Sequence, residues 1–287
     1  MFERISRSIE LVKVSWGILM EDKKLLAFPV MSGIVTLLVI ATFILPLIFT
    51  NGMLETNTIA GIVLLFLFYV VSYFVVIFFN VGLISCVNAR LHGQSMSVGE
   101  GLSAAARHVG SILVWAIIAA TVGLILRLIE ERVGFLGQIA AGLVGGLWTL
   151  VTMFVVPVLV FEEKGVFEAM KESLGLFKKT WGESIVGSLS IGLVFFAIGI
   201  VGIILVFATL FLGNPLIFLA AGALYIVLIA ILAILASAMQ GIFVVWHYTP
   251  MQRPGRCPLP SPVNWSNGHL LPRGKRLVEI SEHFFYP

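Results

Sequence analysis

Six long runs of apolar residues organise the chain, and polar residues gather in the short segments between them. The runs cover approximately residues 25–50, 59–87, 111–128, 134–161, 185–212 and 215–245. None of them carries an Asp, Glu, Lys, Arg or His at its centre. Because the hydrocarbon core of a bilayer takes about 20 apolar residues per helix, the pattern predicts an all-α, polytopic transmembrane helix bundle with six spans.

Basic residues between the spans predict their orientation. Eleven Lys and Arg residues fall in segments on one side, and only Arg127 and Arg132 fall on the other. The eleven are Arg4, Arg7, Lys13, Lys23, Lys24, Arg90, Arg107, Lys164, Lys171, Lys178 and Lys179. The positive-inside rule therefore predicts a multi-pass protein of the cytoplasmic (inner) membrane with both termini in the cytoplasm.

A different periodicity precedes the pairs of spans. Apolar residues three and four positions apart predict one amphipathic helix near the N-terminus and another after the fourth span. Their stripes are Phe2, Ile5, Ile9, Val12 and Trp16, and Phe167, Met170, Leu174, Phe177 and Trp181; a weaker third stripe is Val98, Leu102, Ala105 and Val109. The apolar faces either lie at the headgroup boundary, with Trp16 and Trp181 as interfacial anchors, or pack against the cytoplasmic end of the bundle.

The strongest two stripes also share a sequence motif. Residues 8–17 read S-I-E-L-V-K-V-S-W-G and residues 173–182 read S-L-G-L-F-K-K-T-W-G. We therefore predict three parallel repeats of a cytoplasmic amphipathic helix followed by a transmembrane hairpin. The units cover approximately 1–92, 93–163 and 164–247 of a single six-helix membrane domain, residues 1–247.

The chain changes character after about Val245. Residues 248–287 are rich in Pro and Arg and lack periodicity, which is typical of a disordered tail. Reading the codons one base back forces Ala at two junctions and permits a stop across Gly274–Lys275. We interpret residues 248–287 as an aberrant, frameshifted tail, which the coding DNA would test.

Composition narrows the function classes. The chain is 59% hydrophobic and 11% charged, and six spans leave no room in 287 residues for a soluble catalytic domain. The net charge of +3 arises in the tail and does not indicate a nucleic-acid partner. There is no phosphate-binding loop, no zincin or Cys-x-x-Cys spacing and no plausible Ser-His-Asp set, so we predict no enzyme and no cofactor.

Neutral polar residues are the candidates for a site within the spans. Asn80 and Asn88 lie eight residues apart near one face of the second span, and Arg90 follows. This spacing predicts either hydrogen bonds between helices or a polar lining for a neutral solute. Small residues predict close helix packing, within the chain or between copies: Gly142 and Gly146 in the fourth span, Ser188 and Gly192 in the fifth.

The N-terminus carries a family resemblance. The motif F-E-R-I-x-R-S-I-E-L-V-K-x-S-W-G-I-L, the Lys23-Lys24 pair and L-L-A-F-P-V resemble an uncharacterised family of prokaryotic six-span integral membrane proteins, classed as a domain of unknown function. More distantly, the helix-plus-hairpin unit is similar to the membrane domain attached to some glycerophosphodiester phosphodiesterases. These resemblances imply a fold and no activity, because that enzyme's active site lies in a separate soluble domain.

Three function classes follow from these patterns. The first is a non-enzymatic scaffold or membrane-complex subunit that works through membrane lipids, a membrane-protein partner or a homo-oligomer. The second is a permease or channel-like protein for a neutral or lipidic solute. The third, an intramembrane enzyme, has only Glu130, Glu131 and Arg132 as candidate ionisable groups on the outer side. A continuous polar path favours the permease, and a packed apolar centre favours the scaffold.

Overall fold

The computed structural model describes residues 15–49 and 59–252 of the chain, and within these residues it contains helices and no strand. Residues 15–21 are helical, and short 3-10 turns cover Lys23–Leu26 and Thr209–Leu212. The α-helices are α1 Ala27–Phe49, α2 Ile59–Leu91, α3 Val98–Arg107, α4 Val109–Glu130, α5 Phe135–Thr152, α6 Val155–Phe161, α7 Val166–Ala208 and α8 Pro215–Gln252.

Six helical segments of the described chain are long and apolar enough to cross a membrane. They are Lys23–Leu45, Ile59–Leu91, Val109–Glu130, Gly137–Phe161, Ile191–Phe211 and Pro215–Val245. The predicted all-α, six-span architecture is thereby confirmed. Among the described residues, the bounds agree with the predicted ones to within a few residues.

Helix α2 is the centre of the bundle and packs against α1, α3, α4 and α8. Two glycines let α3 approach it closely. A Cβ atom at Gly101 of α3 would lie 2.6 Å from Cys86 Sγ and 3.0 Å from the carbonyl oxygen of Gly82. The ring of Phe28, from α1, fills the space beside both glycines. Glycine at these positions therefore fixes how three helices meet.

The buried core lies at one end of the bundle, where α2 ends and α1 and α4 begin. Leu19, Phe28, Val87 and Phe243 are all buried there. Toward the opposite end the spans expose large apolar side chains, including Leu37, Leu143 and Leu205. Since lipid chains solvate such side chains, this distribution suits a bundle that meets hydrocarbon along much of its length.

The fourth span is broken into α5 and α6. Pro157 has no backbone N–H to donate to the carbonyl of Met153, and its ring crowds that carbonyl. The helix is accordingly interrupted at residues 153–154.

The amphipathic stretches pack against the bundle over part of their surface. In the first, Ser15 and Leu19 are buried while Trp16 and Met20 are exposed. In α3, Val98, Leu102 and Ala105 lie against the core, whereas Val109, the last residue of that stripe, begins α4 and is exposed. In α7, Met170 and Phe177 face the bundle, whereas Phe167 and Leu174 are exposed.

The three stretches join their spans in three ways. A 3-10 turn separates the first from α1, a break at His108 separates α3 from α4, and the third is continuous with its span in the 43 residues of α7. The threefold repeat therefore stays a prediction. Residues 1–14, residues 50–58 and residues 253–287, which hold most of the predicted frameshifted tail, lie outside the described residues. Helix α8 itself continues past Val245 to Gln252, and Tyr248 is buried.

Candidate functional site

Two cavities lie along α2. The larger, which we call the end cavity, has a volume of about 870 Å³ and opens where α2 ends. Its lining comes from α2, the following loop, α3, the start of α4 and the end of α6: Ser85, Asn88, Ala89, His92, Gln94, Met96, Ala104, Arg107, His108, Ser111, Leu159, Val160, Phe161 and Glu163. Eight of these fourteen side chains carry nitrogen or oxygen atoms.

One wall of the end cavity is a polar face of α2. Ser85, Asn88 and His92 follow the i, i+3, i+7 spacing that places side chains on one side of a helix. The Ser85 hydroxyl donates to the carbonyl of Val81 at 2.8 Å. The His92 Nδ1 lies 2.7 Å from the carbonyl oxygen of Asn88. Since a carbonyl only accepts, Nδ1 carries the hydrogen and Nε2 is left to face a ligand or water.

The opposite wall crosses the junction of α3 and α4. Arg107, His108 and Ser111 again follow the spacing of one helical face, although the helix breaks at His108. Among the described residues, no carboxylate lies within ion-pair distance of the Arg107 guanidinium. The Arg107 side chain at this wall is therefore a cation without an ion-pair partner in the described part of the protein.

A capping box holds α3 in place at the other end. The Ser97 hydroxyl accepts from the backbone N–H of Glu100 at 3.3 Å, and the Glu100 carboxylate accepts from the backbone N–H of Ser97 at 2.7 Å. These hydrogen bonds to Ser97 lower the pKa of Glu100. Because this carboxylate is hydrogen-bonded to Ser97 at the start of α3, it does not pair with Arg107 at the end of the helix.

The third wall is the end of α6 and the loop that follows. Glu163 brings a carboxylate to the cavity and adopts the left-handed backbone region with φ of 52°. Behind it, Lys164 Nζ lies 2.5 Å from Glu162 Oε2 and also contacts the Glu172 carboxylate. Its hydrogen bonds to these two carboxylates raise the pKa of Lys164. Tyr248 of α8 donates to Glu162, so this ionic cluster joins α6, α7 and α8.

The smaller cavity, the span cavity, has a volume of about 180 Å³ and lies between α1, α2, α8 and the broken helix. Its polar groups are the neutral side chains Ser32, Asn80, Ser237 and Gln240. Pro157 lines it from the helix break. Packing is close here, since a Cβ atom at Gly241 would lie 2.6 Å from Leu83 Cδ2.

The structure separates the three residues of the predicted polar face. Asn80 lines the span cavity, Asn88 lines the end cavity, and the Arg90 guanidinium lies 3.2 Å from the Glu21 carboxylate. Geometry explains the separation, because eight residues at about 100° each leave the two asparagines about 80° apart around the helix. Between the asparagines, Ile84 and Val87 of α2 are at most 1% exposed, and Val158 of α6 is fully buried.

Other predicted packing and anchor residues have varied surroundings. Gly142, Gly146 and Gly192 are exposed, and nothing lies within 4 Å of the position that a Cβ atom would take, so they touch no other helix in the described chain. Trp16 is 41% exposed, and its role as an interfacial anchor stays a prediction. Trp181 and Ser188 lie on α7, but their side chains are outside the described part of the structure.

Arg107, His92, His108 and Ser111 were missed as candidates from the sequence. Fifteen residues lie between His92 and His108 in the chain, so the sequence alone does not bring them together. The helical spacing of Arg107, His108 and Ser111 is a usable signal. It can be recognised only once the structure shows that one helical face runs from α3 into α4. In the described ranges 15–49 and 59–252, no group of three or more His, Cys, Asp or Glu could hold a metal ion.

The six apolar helices, with a buried core at one end of the bundle, are those of a multi-pass helical membrane protein. The model of a family described as "Family of unknown function (DUF6159)" matches residues 59–256, more than half of the chain, and the protein belongs to that family. The family match confirms the predicted membership of an uncharacterised family, although it begins C-terminal to the motif that carried the resemblance. No curated protein matches the chain.

Proposed function

We propose that this protein is a non-enzymatic component of the cytoplasmic membrane, a scaffold or subunit that works through lipids or a membrane-protein partner. The observation that carries the proposal is the apolar layer between the two cavities. Ile84 and Val87 lie between Asn80 and Asn88 along α2, and they are buried in the same apolar cluster as Val158 of α6. A path for a polar solute would have to cross this layer, and buried aliphatic packing of that kind opposes it.

Reconstituted liposomes test the proposal directly. The full chain is inserted into vesicles, and their shrinking and reswelling in glycerol and in urea is followed by light scattering. We expect the rates of protein-free vesicles. A faster rate that Asn80→Trp abolishes and the exposed-surface control Leu143→Trp preserves would contradict the proposal.

Purification in mild detergent supplies the complementary measurement. A scaffold or subunit should retain a stoichiometric membrane-protein partner when it is isolated from its own host and analysed by mass spectrometry. Retention should survive Asn80→Trp, because the span cavity has no part in a scaffold's contacts. A chain that is always isolated alone would count against the subunit role.

A permease for a neutral or lipidic solute is the second candidate. It is favoured by the span cavity, where neutral Asn80 and Gln240 lie beside the helix break at Pro157. Interrupted helices next to a cavity are a recurrent design in transporters. For this role the apolar layer would have to open in another conformation, which the flux assay would detect.

The orientation with both termini in the cytoplasm is part of the proposal, and reporter fusions at each end would test it. It places the end cavity on the cytoplasmic side. The distant likeness to the membrane domain attached to some glycerophosphodiester phosphodiesterases stays a prediction and contributes no catalytic residue.

A further inference from the structure

We propose that the end cavity is a binding site for a phosphate-bearing anion, recognised by Arg107 together with hydrogen-bond donors from the facing wall of α2. The proposal goes beyond the scaffold role and does not depend on it, since a permease could carry the same site.

The charge of the cavity depends on which ionic groups are already paired. Arg90, which follows the lining residue Ala89, is paired with Glu21. Glu100 is occupied by its cap at Ser97. Arg107 lines the cavity and has no ion-pair partner among the described residues, so it is available to a ligand. A guanidinium presents its donors in a planar fork that matches a phosphate or a carboxylate.

Donors on both walls favour phosphate over a smaller or neutral ligand. Asn88 on α2 and Ser111 on α4 each line the cavity, and neither side chain has a hydrogen-bond partner in the described part of the chain. His92 is not one of these donors, because its Nδ1–H is held by the Asn88 carbonyl and the Nε2 of that tautomer accepts. A tetrahedral anion has oxygens enough to accept from two walls at once, and Glu163 can accept a hydroxyl carried beside the phosphate.

The position of the cavity relative to the membrane indicates the possible sources of such a ligand. The ends of three membrane spans contribute to its lining: the second span ends at Leu91, the third begins at Val109 and the fourth ends at Phe161. Span ends lie near the boundary of hydrocarbon and water, where the phosphates of phospholipids lie. A lipid headgroup and a soluble phosphate ester share the recognised chemistry, and the experiment distinguishes them.

The test uses the full chain and two matched variants. Arg107→Gln removes the proposed ligand-binding cation, and Arg90→Gln removes one charge at the same end of α2 without altering the cavity lining. Each protein is titrated with detergent-solubilised phosphatidylglycerol, phosphatidylcholine and sn-glycerol 3-phosphate, and bound ligand is counted by native mass spectrometry.

We expect Arg107→Gln to weaken binding of a phosphate-bearing ligand about tenfold or more, and Arg90→Gln to leave it within about twofold. Binding of phosphatidylglycerol alone would support the site with a lipid as its source, and binding of glycerol 3-phosphate would support it with a soluble source. Equal losses in both variants would overturn the proposal, as would the absence of binding to any phosphate compound.

Asn88→Leu provides a second variant from the opposite wall. It keeps the charge of the protein and removes one donor, so we expect a smaller loss of affinity, about threefold to tenfold. Unchanged affinity in both Arg107→Gln and Asn88→Leu would overturn the site even if the protein bound anionic lipid elsewhere. The liposome flux assay is independent of these measurements, so the site and the scaffold role can fail separately.

Discussion

The buried hydroxyl of Ser173 on α7 accepts a hydrogen bond from the backbone N–H of Phe154 at 3.2 Å, in the break between α5 and α6. The same hydroxyl donates to the carbonyl oxygen of Val151 at 2.6 Å. Pro157 interrupts the helix and removes regular partners from nearby backbone groups. One side chain from a neighbouring helix therefore satisfies both a donor and an acceptor at the break.

Substitution of Ser173 by Ala should destabilise the protein by about 1–3 kcal/mol, because two buried backbone groups lose this partner. Thermal unfolding in detergent measures the loss as a lower Tm. Ser103→Ala, at an exposed position of α3, removes a hydroxyl that has no hydrogen-bond partner among the described residues and should leave the Tm almost unchanged. Equal Tm values for the two variants would show that the bridge adds nothing to stability.

Gly101→Ala should loosen the contact of α3 with α2. The added Cβ atom would lie 2.6 Å from Cys86 Sγ and 2.7 Å from the Phe28 ring, and overpacking of this kind costs about 1–3 kcal/mol. Gly99→Ala on the same helix meets nothing within 4 Å and should stabilise by about 0.5–1 kcal/mol. The unfolding temperatures should thus shift in opposite directions. Two equal increases would contradict the close approach.

Protection of α3 against hydrogen exchange should fall in acid. Hydrogen bonds to Ser97 lower the pKa of Glu100 in the folded state, so its stabilisation is present above the unfolded pKa and is lost as the pH falls through the folded pKa. Exchange of the α3 amides, followed by mass spectrometry between pH 7 and pH 3, measures this.

Ser97→Ala is the control for that titration. It removes the cap, which is worth about 1 kcal/mol, so α3 should exchange about fivefold faster at neutral pH. Its acid dependence should also be weaker than in the wild type. An acid response that persists in full without Ser97 would mean that another group is responsible.

The ion pairs of Lys164 should be more strongly coupled than an ordinary surface pair. Lys164 meets two carboxylates, Glu162 and Glu172, which are largely shielded from solvent. Double-mutant cycles of Lys164→Met with Glu172→Gln, and of Arg90→Met with Glu21→Gln, compare the two cases by unfolding in detergent. The exposed Arg90–Glu21 pair should give about 0.2–1 kcal/mol.

A coupling at Lys164 no larger than this would contradict the cluster's role in joining three helices. The pH dependence gives a further check. Because the two carboxylates raise the pKa of Lys164, its contribution is fully present below the unfolded pKa of 10.5 and is lost as the pH rises through the folded pKa. The difference between wild type and Lys164→Met should therefore stay constant from pH 7 to pH 9.

The spans were predictable because hydrocarbon imposes a length and a composition that six runs of the chain satisfy. Helix α7 was not predictable as one element. No residue between its amphipathic start and Ile191 stops a helix, but the hydrophobic pattern changes there from a stripe on one face to uniform apolarity. Periodicity describes which residues face a neighbour. It does not say whether two consecutive patterns share one axis.

The site was less predictable than the fold. Asn88 was found because an amide inside an apolar run is conspicuous. Arg107 and His108 lie where charged residues are expected, at the end of a surface helix, so composition gave them no distinction. They become distinctive only because nearby charged groups are already paired, Arg90 with Glu21 and Glu100 with Ser97. Pairings of that kind depend on tertiary structure.

The unbroken course of α7 has a mechanical consequence. Its 43 residues form a rod about 65 Å long, so a change in tilt of about 10° at one end displaces the other by about 11 Å. Spans change their tilt when the thickness of the surrounding bilayer changes. Ser173 lies on the same helix. A change in membrane thickness that tilts α7 therefore acts on the hydrogen bond between Ser173 and the backbone of Phe154.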